Sequence, residues 1–151
     1  MVCVENNLFI LGGFDGQEEL KTVRRLDLNT FECFEEPPMK HRRRHLSSCA
    51  LNGHIYVMGG ADSNTRLRAA ERYSPANQKW EVISDMNEQR SGASSCSDDV
   101  LKRVYCVGGF NGEECLLTAE FYCPLNKIWT QVTPMRSRRA GVSIISTGKM
   151  V

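Results

Sequence analysis

The sequence has 151 residues, 41% of them hydrophobic and 25% charged, which is typical of a folded globular protein rather than a disordered one. Lys plus Arg number 19 against 18 for Asp plus Glu, so the net charge of +1 gives no general attraction to nucleic acid or to an anionic membrane surface. The apolar runs are much shorter than the roughly 20 residues that span a bilayer, and residues 1–11 lack the basic start of a signal peptide. We therefore expect a cytoplasmic protein without nucleic-acid or membrane partners.

The seven cysteines and three histidines predict neither a disulfide framework nor a metal site. The cysteine count is odd, no CxxC pair occurs, and the histidines do not cluster with other ligands, whereas zinc requires about four. Cys106 lies in an apolar stretch and Cys115 follows two glutamates, so both are expected to be structural. Cys49, four residues after His45, stays open as a candidate reactive thiol. No cofactor is expected.

The first predicted element is an apolar strand that ends at a glycine pair, and this arrangement recurs twice along the chain. The pairs are 47 and 49 residues apart, namely Gly12-Gly13, Gly59-Gly60 and Gly108-Gly109. Tyrosine, tryptophan, methionine and arginine follow the later pairs at constant offsets, as Tyr73, Trp80, Met86 and Arg90 and as Tyr122, Trp129, Met135 and Arg139. The chain is therefore an internal repeat.

The first unit, residues 1–45, has the recurring methionine and arginine, Met39 and Arg43. It departs from the pattern in the segment between its glycine pair and Met39. Leu26 and Cys33 stand where the later units have tyrosine and tryptophan. Phe31, two residues before Cys33, is predicted to lie on the same strand face as that cysteine. We expect this unit to pack less tightly than the other two.

The second unit, residues 46–92, predicts four antiparallel strands. Ser47–Leu51 and His54–Met58 are joined by Asn-Gly, which supplies the positive φ angles of a type I′ hairpin. Ala70–Ser74 and Lys79–Ile83 form a second strand pair. The nearly continuous apolar strand before the glycines indicates a sheet covered on both faces, and the tyrosine–tryptophan pairs are expected to fill the space between stacked sheets.

The third unit, residues 93–139, has a longer hairpin tip at Asp98 to Arg103, and residues 140–151 begin a fourth unit with one predicted strand, Ala140–Ser146. Repeated four-stranded sheets with a period of about 50 residues are typical of propeller blades. The predicted fold is therefore all-β. It is a partial propeller of about three four-stranded antiparallel blades plus the first strand of a fourth.

With these residues in place, the chain resembles the kelch-repeat propellers of the BTB-kelch, or kelch-like, family. The resemblance covers essentially the whole chain, and the WD dipeptide and Gly-His of the other common propeller are missing. It implies a structural role for the recurring residues. These are Gly12, Gly13, Gly59, Gly60, Tyr73, Trp80, Gly108, Gly109, Tyr122 and Trp129.

The resemblance also implies a function. The chain would be part of the substrate-recognition propeller of an adaptor for a cullin-three RING ubiquitin ligase, with the contact to cullin-three made by BTB and BACK domains absent from this chain. Such propellers have six blades, so this chain would be about half a ring. An actin-binding cytoskeletal module is the alternative. No Ser-His-Asp order, paired carboxylates or metal cluster occurs, so we expect a non-enzyme.

Residues that bind a partner are expected where the units differ on equivalent loops. One loop set follows the glycine pairs and another follows the methionines, and in resembling proteins both sets line one mouth of the ring. The positions two past the recurring arginine are His45, Gly92 and Gly141, so only the first unit offers a side chain there. The predicted partner-binding residues, for a protein client, are Phe14, Asp15, Arg42, Arg44, His45, Asp62, Asn64, Arg66, Phe110, Asn111, Ser137 and Arg138.

The run from Lys40 to His45 is the densest local charge in the sequence. It could form a cationic lip for an acidic peptide, because the planar arginine fork binds carboxylates in a bidentate manner. The alternatives are a solvated loop between units, with Arg43 held by backbone carbonyls, and a nuclear-localisation or nucleic-acid patch.

Overall fold

The computed structural model describes residues 1–147, which form three four-stranded antiparallel sheets and no helix. The first sheet, blade 1, contains β1 (Val2–Val4), β2 (Asn7–Phe14), β3 (Glu19–Asp27) and β4 (Cys33–Glu36). Blade 2 contains β5 (Ser47–Leu51), β6 (His54–Met58), β7 (Ala70–Ser74) and β8 (Lys79–Ile83). Blade 3 contains β9 (Ser94–Asp98), β10 (Arg103–Val107), β11 (Ala119–Cys123) and β12 (Ile128–Val132). The predicted all-β fold of partial-propeller type is confirmed. No helix in the described part could cross a membrane.

The inner hairpins follow the local turn chemistry of the sequence. In blade 2 the φ angles of Asn52 and Gly53 are 51° and 71°, the left-handed values that a type I′ turn requires. In blade 3 the hairpin closes between Asp98 and Arg103, and the Asp98 carboxylate accepts hydrogen bonds from the backbone amides of Val100 and Leu101. The longer tip of the third unit is therefore shaped by an aspartate rather than by glycine.

The core lies between the blades rather than within one of them. Phe9, Val23 and Met39 of blade 1 form one buried cluster with Ile55 and Tyr73 of blade 2. A second cluster joins blade 2 to blade 3 and contains Leu51, Tyr56, Met58, Met86, Val104, Cys106, Tyr122 and Trp129. Each sheet therefore buries its apolar side chains only by stacking on its neighbour, as in other repeat architectures.

The first glycine of each pair is required by a close backbone approach. A Cβ atom added to Gly59 would lie 2.2 Å from the carbonyl oxygen of Arg90, and one added to Gly12 would lie 2.5 Å from that of Arg43. The same carbonyl of Arg90 accepts a hydrogen bond of 2.8 Å from the amide of Gly60. The absence of a Cβ atom thus lets the segment after the fourth strand of the same blade pack directly against the glycine pair.

Blade 1 departs from the other two as its sequence indicates. Leu26 lies opposite Cys33 in the same register in which Tyr73 lies opposite Trp80. Phe31, however, lies outside β4, with a φ angle of 58° and 74% of its surface exposed. The prediction that it shares a strand face with Cys33 is wrong, because the turn after Asp27 places Phe31 at its left-handed position, where its amide bonds to the Asp27 carbonyl at 2.8 Å.

The residues predicted to begin a fourth unit follow blade 3. The prediction of a strand over Ala140–Ser146 is wrong, because residues 140–147 pair with no neighbouring strand among the described residues. They contact Ser94 at the start of β9 and Gly92, two residues before it. The amide of Gly141 donates to the carbonyl of Gly92 at 2.9 Å, and the amide of Ile144 donates to the Ser94 hydroxyl at 3.2 Å. The remainder of that segment, 148–151, lies outside the described residues.

Candidate interaction surface

The recurring arginines connect each blade to the next. Arg43 follows blade 1, and its buried side chain reaches into blade 2, where it donates hydrogen bonds to the carbonyls of Gly59 (2.7 Å) and Ala69 (3.0 Å). Its Nη2 lies 2.6 Å from the Glu71 carboxylate, and both side chains are fully buried. Arg43 is therefore enclosed by the fold and is not presented to solvent on the predicted cationic lip.

Arg90 makes the same connection from blade 2 to blade 3. Its Nε lies 2.9 Å from the Glu120 carboxylate, and its Nη1 donates to the carbonyls of Gly108 and Thr118 at 2.9 Å each. Sequence reasoning missed Glu71 and Glu120, although both stand two residues before the recurring tyrosines. The arginine and the glutamate recur at one period, which is the signal that could have paired them.

The buried carboxylate of Glu71 remains charged at neutral pH. Burial alone would raise its pKa, but hydrogen bonds from the Lys40 amide, the charge of Arg43 and hydrogen bonds from His41 and Arg43 together hold that pKa below its ordinary value. Burial lowers the pKa of the Arg43 guanidinium, and the charge of Glu71 opposes this. The pair is therefore a structural ion pair between blades.

The predicted partner-binding residues lie on two sets of loops that meet on one surface, which we call the mouth surface. It comprises residues 14–19, 40–45, 61–66, 87–91, 110–115 and 136–140. Side-chain hydrogen bonds join loops that are distant in sequence. For example, the Ser63 hydroxyl of blade 2 donates to the Glu19 carboxylate of blade 1 at 2.7 Å. The loops of blades 1 and 2 therefore form one continuous surface.

The basic run of blade 1 is largely neutralised by glutamates of the neighbouring loop. Arg42 lies 2.9 Å from the Glu18 carboxylate and also donates to the Glu19 carbonyl at 3.0 Å. Arg44 lies 3.4 Å from the Glu19 carboxylate, and its guanidinium carbon is 5.3 Å from the centre of the Phe14 ring. The hydrogen bond from Ser63, together with the charge of Arg44, lowers the pKa of the buried Glu19 carboxyl.

Blade 3 repeats one of these ion pairs at the equivalent positions. Arg138 lies 2.7 Å from the Glu114 carboxylate and donates to the Cys115 carbonyl at 3.0 Å, while Ser137 is exposed beside it. Each of these arginines stands three residues after the recurring methionine, and each of these glutamates stands five after the second glycine. Blade 2 has Gln89 and Thr65 at these positions, so this part of its mouth surface lacks the charge pair.

Three of the predicted residues fix the conformation of their own loops. The side chains of Asp15, Asp62 and Asn111 each accept hydrogen bonds from the amides two and three residues later, at 2.8 to 3.0 Å. The Glu18 and Gln17 amides lower the pKa of Asp15. This is the Asx turn that aspartate and asparagine favour. Asn64 is exposed, and its backbone amide is one of the two that donate to Asp62.

His45 and Arg66 complete the predicted set. His45 is exposed and has a φ angle of 51°, and the equivalent residues Gly92 and Gly141 have φ angles of 64°. The position therefore favours glycine, and histidine occupies it only in blade 1. Arg66 is half-buried, and its guanidinium carbon lies 5.6 Å from the centre of the Phe110 ring.

A separate cleft lies between blades 1 and 2 at the opposite end of the strands. It encloses about 460 Å³ beside Asn7, Arg25 and His54. The buried Glu36 carboxylate within it accepts hydrogen bonds from Arg25 Nε at 2.7 Å and from the Tyr73 hydroxyl. The charges of Arg25 and Glu36 in this cleft are therefore paired with each other.

Cys49 and Cys106 are buried in the cluster between blades 2 and 3, whereas Cys3 and Cys33 are exposed. Burial raises the pKa of Cys49 far above its ordinary value and that of Cys106 to about 11, and it also raises the pKa of Cys96. Cys49 is thus not the reactive exception considered from the sequence, because a buried thiol without a cationic partner stays protonated. Within residues 1–147, no group of three His, Cys, Asp or Glu side chains could hold a metal ion.

Comparison with known proteins gives consistent matches over the chain. Residues 1–151 match the family described as the KLHDC2/KLHL20/DRC7 Kelch-repeats domain. Similar proteins include Kelch repeat protein M-T9 of Myxoma virus (strain Lausanne), 40% identical over 81 residues, which are 53% of this chain and 16% of that protein. Kelch-like protein 23 of Homo sapiens is 30% identical over 98 residues, 64% of this chain and 18% of the relative.

A third relative is Kelch repeat and BTB domain-containing protein F47D12.7 of Caenorhabditis elegans. It is 29% identical over 101 residues, which are 64% of this chain and 17% of that protein. The chain therefore matches less than a fifth of the length of each of these relatives.

Proposed function

Because the chain belongs to the kelch-repeat family, within its kelch-like group, we propose that its blades are part of the substrate-recognition propeller of an adaptor for a cullin-three RING ubiquitin ligase. Kelch repeats mediate protein–protein interactions. A relative named for a BTB domain supports the adaptor role, since that domain would make the contact with cullin-three outside this chain. The chain itself binds a cytoplasmic client protein and catalyses no reaction.

The observation that carries this proposal is the division between constant joints and variable loops. The buried pairs Arg43–Glu71 and Arg90–Glu120 are the same in both blade contacts. The mouth surface, by contrast, is not the same in every blade: Ala61 stands where blades 1 and 3 have Phe14 and Phe110, and Glu19, Arg66 and Cys115 occupy one equivalent position. Constant joints hold the blades together, and a surface that varies in chemistry from blade to blade can recognise one irregular partner.

The test compares the two ends of the strands. We would immobilise the 151-residue chain and quantify captured cytosolic proteins for the unmodified chain, for a mouth variant and for a control variant. The mouth variant combines Phe14→Ala, His45→Asn and Asn64→Ala, all at exposed positions without ion pairs, and asparagine tolerates the left-handed φ of position 45. The control is Leu125→Ser, 89% exposed in the β11–β12 turn.

Clients should be captured by the unmodified chain and the control and be depleted several-fold with the mouth variant, at unchanged melting temperature. Their cellular levels should rise when cullin ligases are inhibited. Equal capture by both variants would contradict the mouth surface as the binding site. Co-sedimentation of the chain with purified actin filaments, without clients that respond to cullin inhibition, would instead support the cytoskeletal function.

A further inference from the structure

Two of the five prolines directly follow a residue with a hydroxyl group, in Ser74-Pro75 and Thr133-Pro134. Protein kinases of the proline-directed class phosphorylate a serine or threonine that precedes proline, and a basic residue three positions after the acceptor strengthens their binding. Arg136 stands at that distance from Thr133, whereas an asparagine stands at that distance from Ser74. The residues around Thr133 are therefore the better kinase substrate of the two.

Thr133 is also the more accessible of the two hydroxyl residues. It is exposed and directly follows β12 (Ile128–Val132), which lies at the edge of its sheet. Ser74, by contrast, is half-buried at the end of β7, and its hydroxyl is hydrogen-bonded to the Asn77 side chain. The residue before a proline is held in an extended conformation, which is the form in which a kinase binds a substrate segment. The structure thus presents Thr133 to a kinase and withholds Ser74.

The position of Thr133 is one at which each blade meets the next. Its equivalents, two residues before the recurring methionines, are Pro37 and Ser84. The carbonyl oxygen of each of these two residues accepts a hydrogen bond of 2.8 Å from the tryptophan of the following blade. The Ser84 hydroxyl also donates to the carbonyl of Lys127 across that contact at 2.8 Å, although Ser84 remains exposed. A hydroxyl at this position can therefore bind the next blade and still be open to solvent.

A phosphate at this position would oppose the stacking of blades. A hydroxyl can donate its proton to a carbonyl oxygen, whereas a phosphate carries a charge of about −1.5 to −2 at neutral pH and acts mainly as an acceptor. Facing a turn carbonyl such as that of Lys127, the phosphate would lose the hydrogen bond and repel the carbonyl oxygen. Phosphorylation of Thr133 would therefore weaken the contact between blade 3 and a sheet stacked on its outer face.

We propose that Thr133 is the phosphorylation site of a proline-directed protein kinase and that its phosphate controls the stacking of a further sheet on blade 3. In the reaction, Thr133 Oγ1 bonds to the γ-phosphorus of ATP and the bond from that phosphorus to the β,γ-bridging oxygen breaks. ADP leaves, and the hydroxyl proton passes to a carboxylate base of the kinase. The inference goes beyond the proposed function, because Thr133 lies at a contact between blades and outside the mouth surface.

The experiment incubates the folded 151-residue chain with a purified cyclin-dependent kinase, magnesium and radiolabelled ATP. Mass spectrometry of proteolytic fragments locates the phosphate in the unmodified chain. Initial rates of phosphate incorporation are then compared for the unmodified chain, Thr133→Ala, Arg136→Gln and Ser74→Ala. The last variant is the matched control, because it removes the other hydroxyl that precedes a proline. A thermal melt of each variant checks that it is folded during the assay.

The phosphate should be found on Thr133 of the unmodified chain. Thr133→Ala should lower the rate of incorporation at least about tenfold, and Ser74→Ala should leave it within about twofold of the unmodified chain. Arg136→Gln should slow incorporation several-fold, since it removes the basic residue three positions after the acceptor.

A folded chain that stays unmodified would overturn the phosphorylation site, and so would a chain that is modified only after heat unfolding. Phosphate found on Ser74 or Ser137 instead of Thr133 would also overturn it. Each of these outcomes leaves the proposed function standing.

The effect of a negative charge on stacking is measured at Ser84, because blade 3 is already stacked at that position. Ser84→Ala removes the hydroxyl, and Ser84→Glu replaces it with an anion. The glutamate variant should melt about 2–4 °C below the alanine variant for a chain of this size. Equal melting temperatures would overturn the control of stacking by phosphate while leaving the kinase site in place.

Discussion

The contact between blades 1 and 2 and the contact between blades 2 and 3 use the same buried ion pair but differ at the far end of the strands. At the first contact, Glu36 accepts hydrogen bonds from Arg25 and from the Tyr73 hydroxyl. At the second contact, Ile83 occupies the position equivalent to Glu36, and Tyr122 packs against Tyr56 with ring centres 6.1 Å apart. The first contact thus has a hydrogen-bonded carboxylate at the position where the second has the aliphatic side chain of Ile83.

The two tryptophans also differ between the two blade contacts. Trp80 and Trp129 both donate their indole N–H to a backbone carbonyl of the preceding blade at 2.8 Å. Trp129 is buried, whereas Trp80 is only half-buried beside the blade that lacks the tyrosine–tryptophan pair. The joint near the glycines is therefore the same in both contacts, while the far end of the strands carries a hydrogen-bonded carboxylate in one contact and an aliphatic side chain in the other.

The largest expected effect comes from removing one partner of the shared joint. Glu71→Ala and Glu120→Ala should each lower the free energy of unfolding by about 3–5 kcal/mol, because each leaves an arginine charge buried without its carboxylate. Chemical denaturation of both variants measures this. Similar losses would establish the joint as equivalent in the two contacts, and a loss below about 1 kcal/mol at either site would show that the joint is not essential there.

The pH dependence of the melting temperature of Glu71→Gln is the control for the Glu71→Ala prediction. Since the pKa of Glu71 lies below its ordinary value in the folded protein, its charge stabilises the fold fully above the unfolded pKa and ceases to do so as pH falls through the folded pKa. Glutamine does not titrate. The difference in melting temperature between the unmodified chain and the variant should therefore narrow below about pH 4.5, and a constant difference would count against a charged Glu71.

Next in size is the truncation of the tryptophans. Trp129→Ala should cost about 3–5 kcal/mol because it removes a buried indole from the second contact. Trp80→Ala should cost less, about 2–3 kcal/mol, because its side chain is half-buried. Denaturation of the two variants side by side tests the order. The reverse order would mean that the first contact is the more tightly packed of the two.

The smallest effect distinguishes the polar network from the apolar packing. Tyr73→Phe removes the hydrogen bond to buried Glu36 and should cost about 1.5–3 kcal/mol. Tyr122→Phe is the matched control and should change stability by less than about 0.5 kcal/mol, since no side-chain hydrogen bond to its hydroxyl occurs among the described residues. Equal effects would show that the Glu36 network contributes nothing to the first contact.

Much of the fold follows from patterns that act within a few residues. Asn52-Gly53 specifies its turn, and the glycine pairs mark the end of each second strand in all three blades. Phe31 shows the limit of such reasoning. Its spacing from Cys33 suggested a shared strand face, but the turn that begins at Asp27 uses that position for its left-handed residue, and strand periodicity does not apply within a turn.

The sequence named Arg42, Arg44, Arg66 and Arg138 as candidate binding residues, but it did not indicate which of these charges are paired. That pairing depends on residues from other loops. Glu18 and Glu114 are far from their arginines along the chain and contact them only because the fourth strand returns to the glycines of its own blade. The role of these residues in binding stays a prediction.

The sequence by itself determined the repeat, the four strands of each unit and the family, because each depends on short-range spacing of turn-forming and apolar residues. Only the tertiary structure decided which charges are paired. Arg43 and Arg66 have the same side chain, yet one is enclosed between blades with Glu71 and the other is left without a carboxylate. Pairing depends on a few ångströms of separation between residues distant in sequence, and only the stacking of one blade on the next sets that separation.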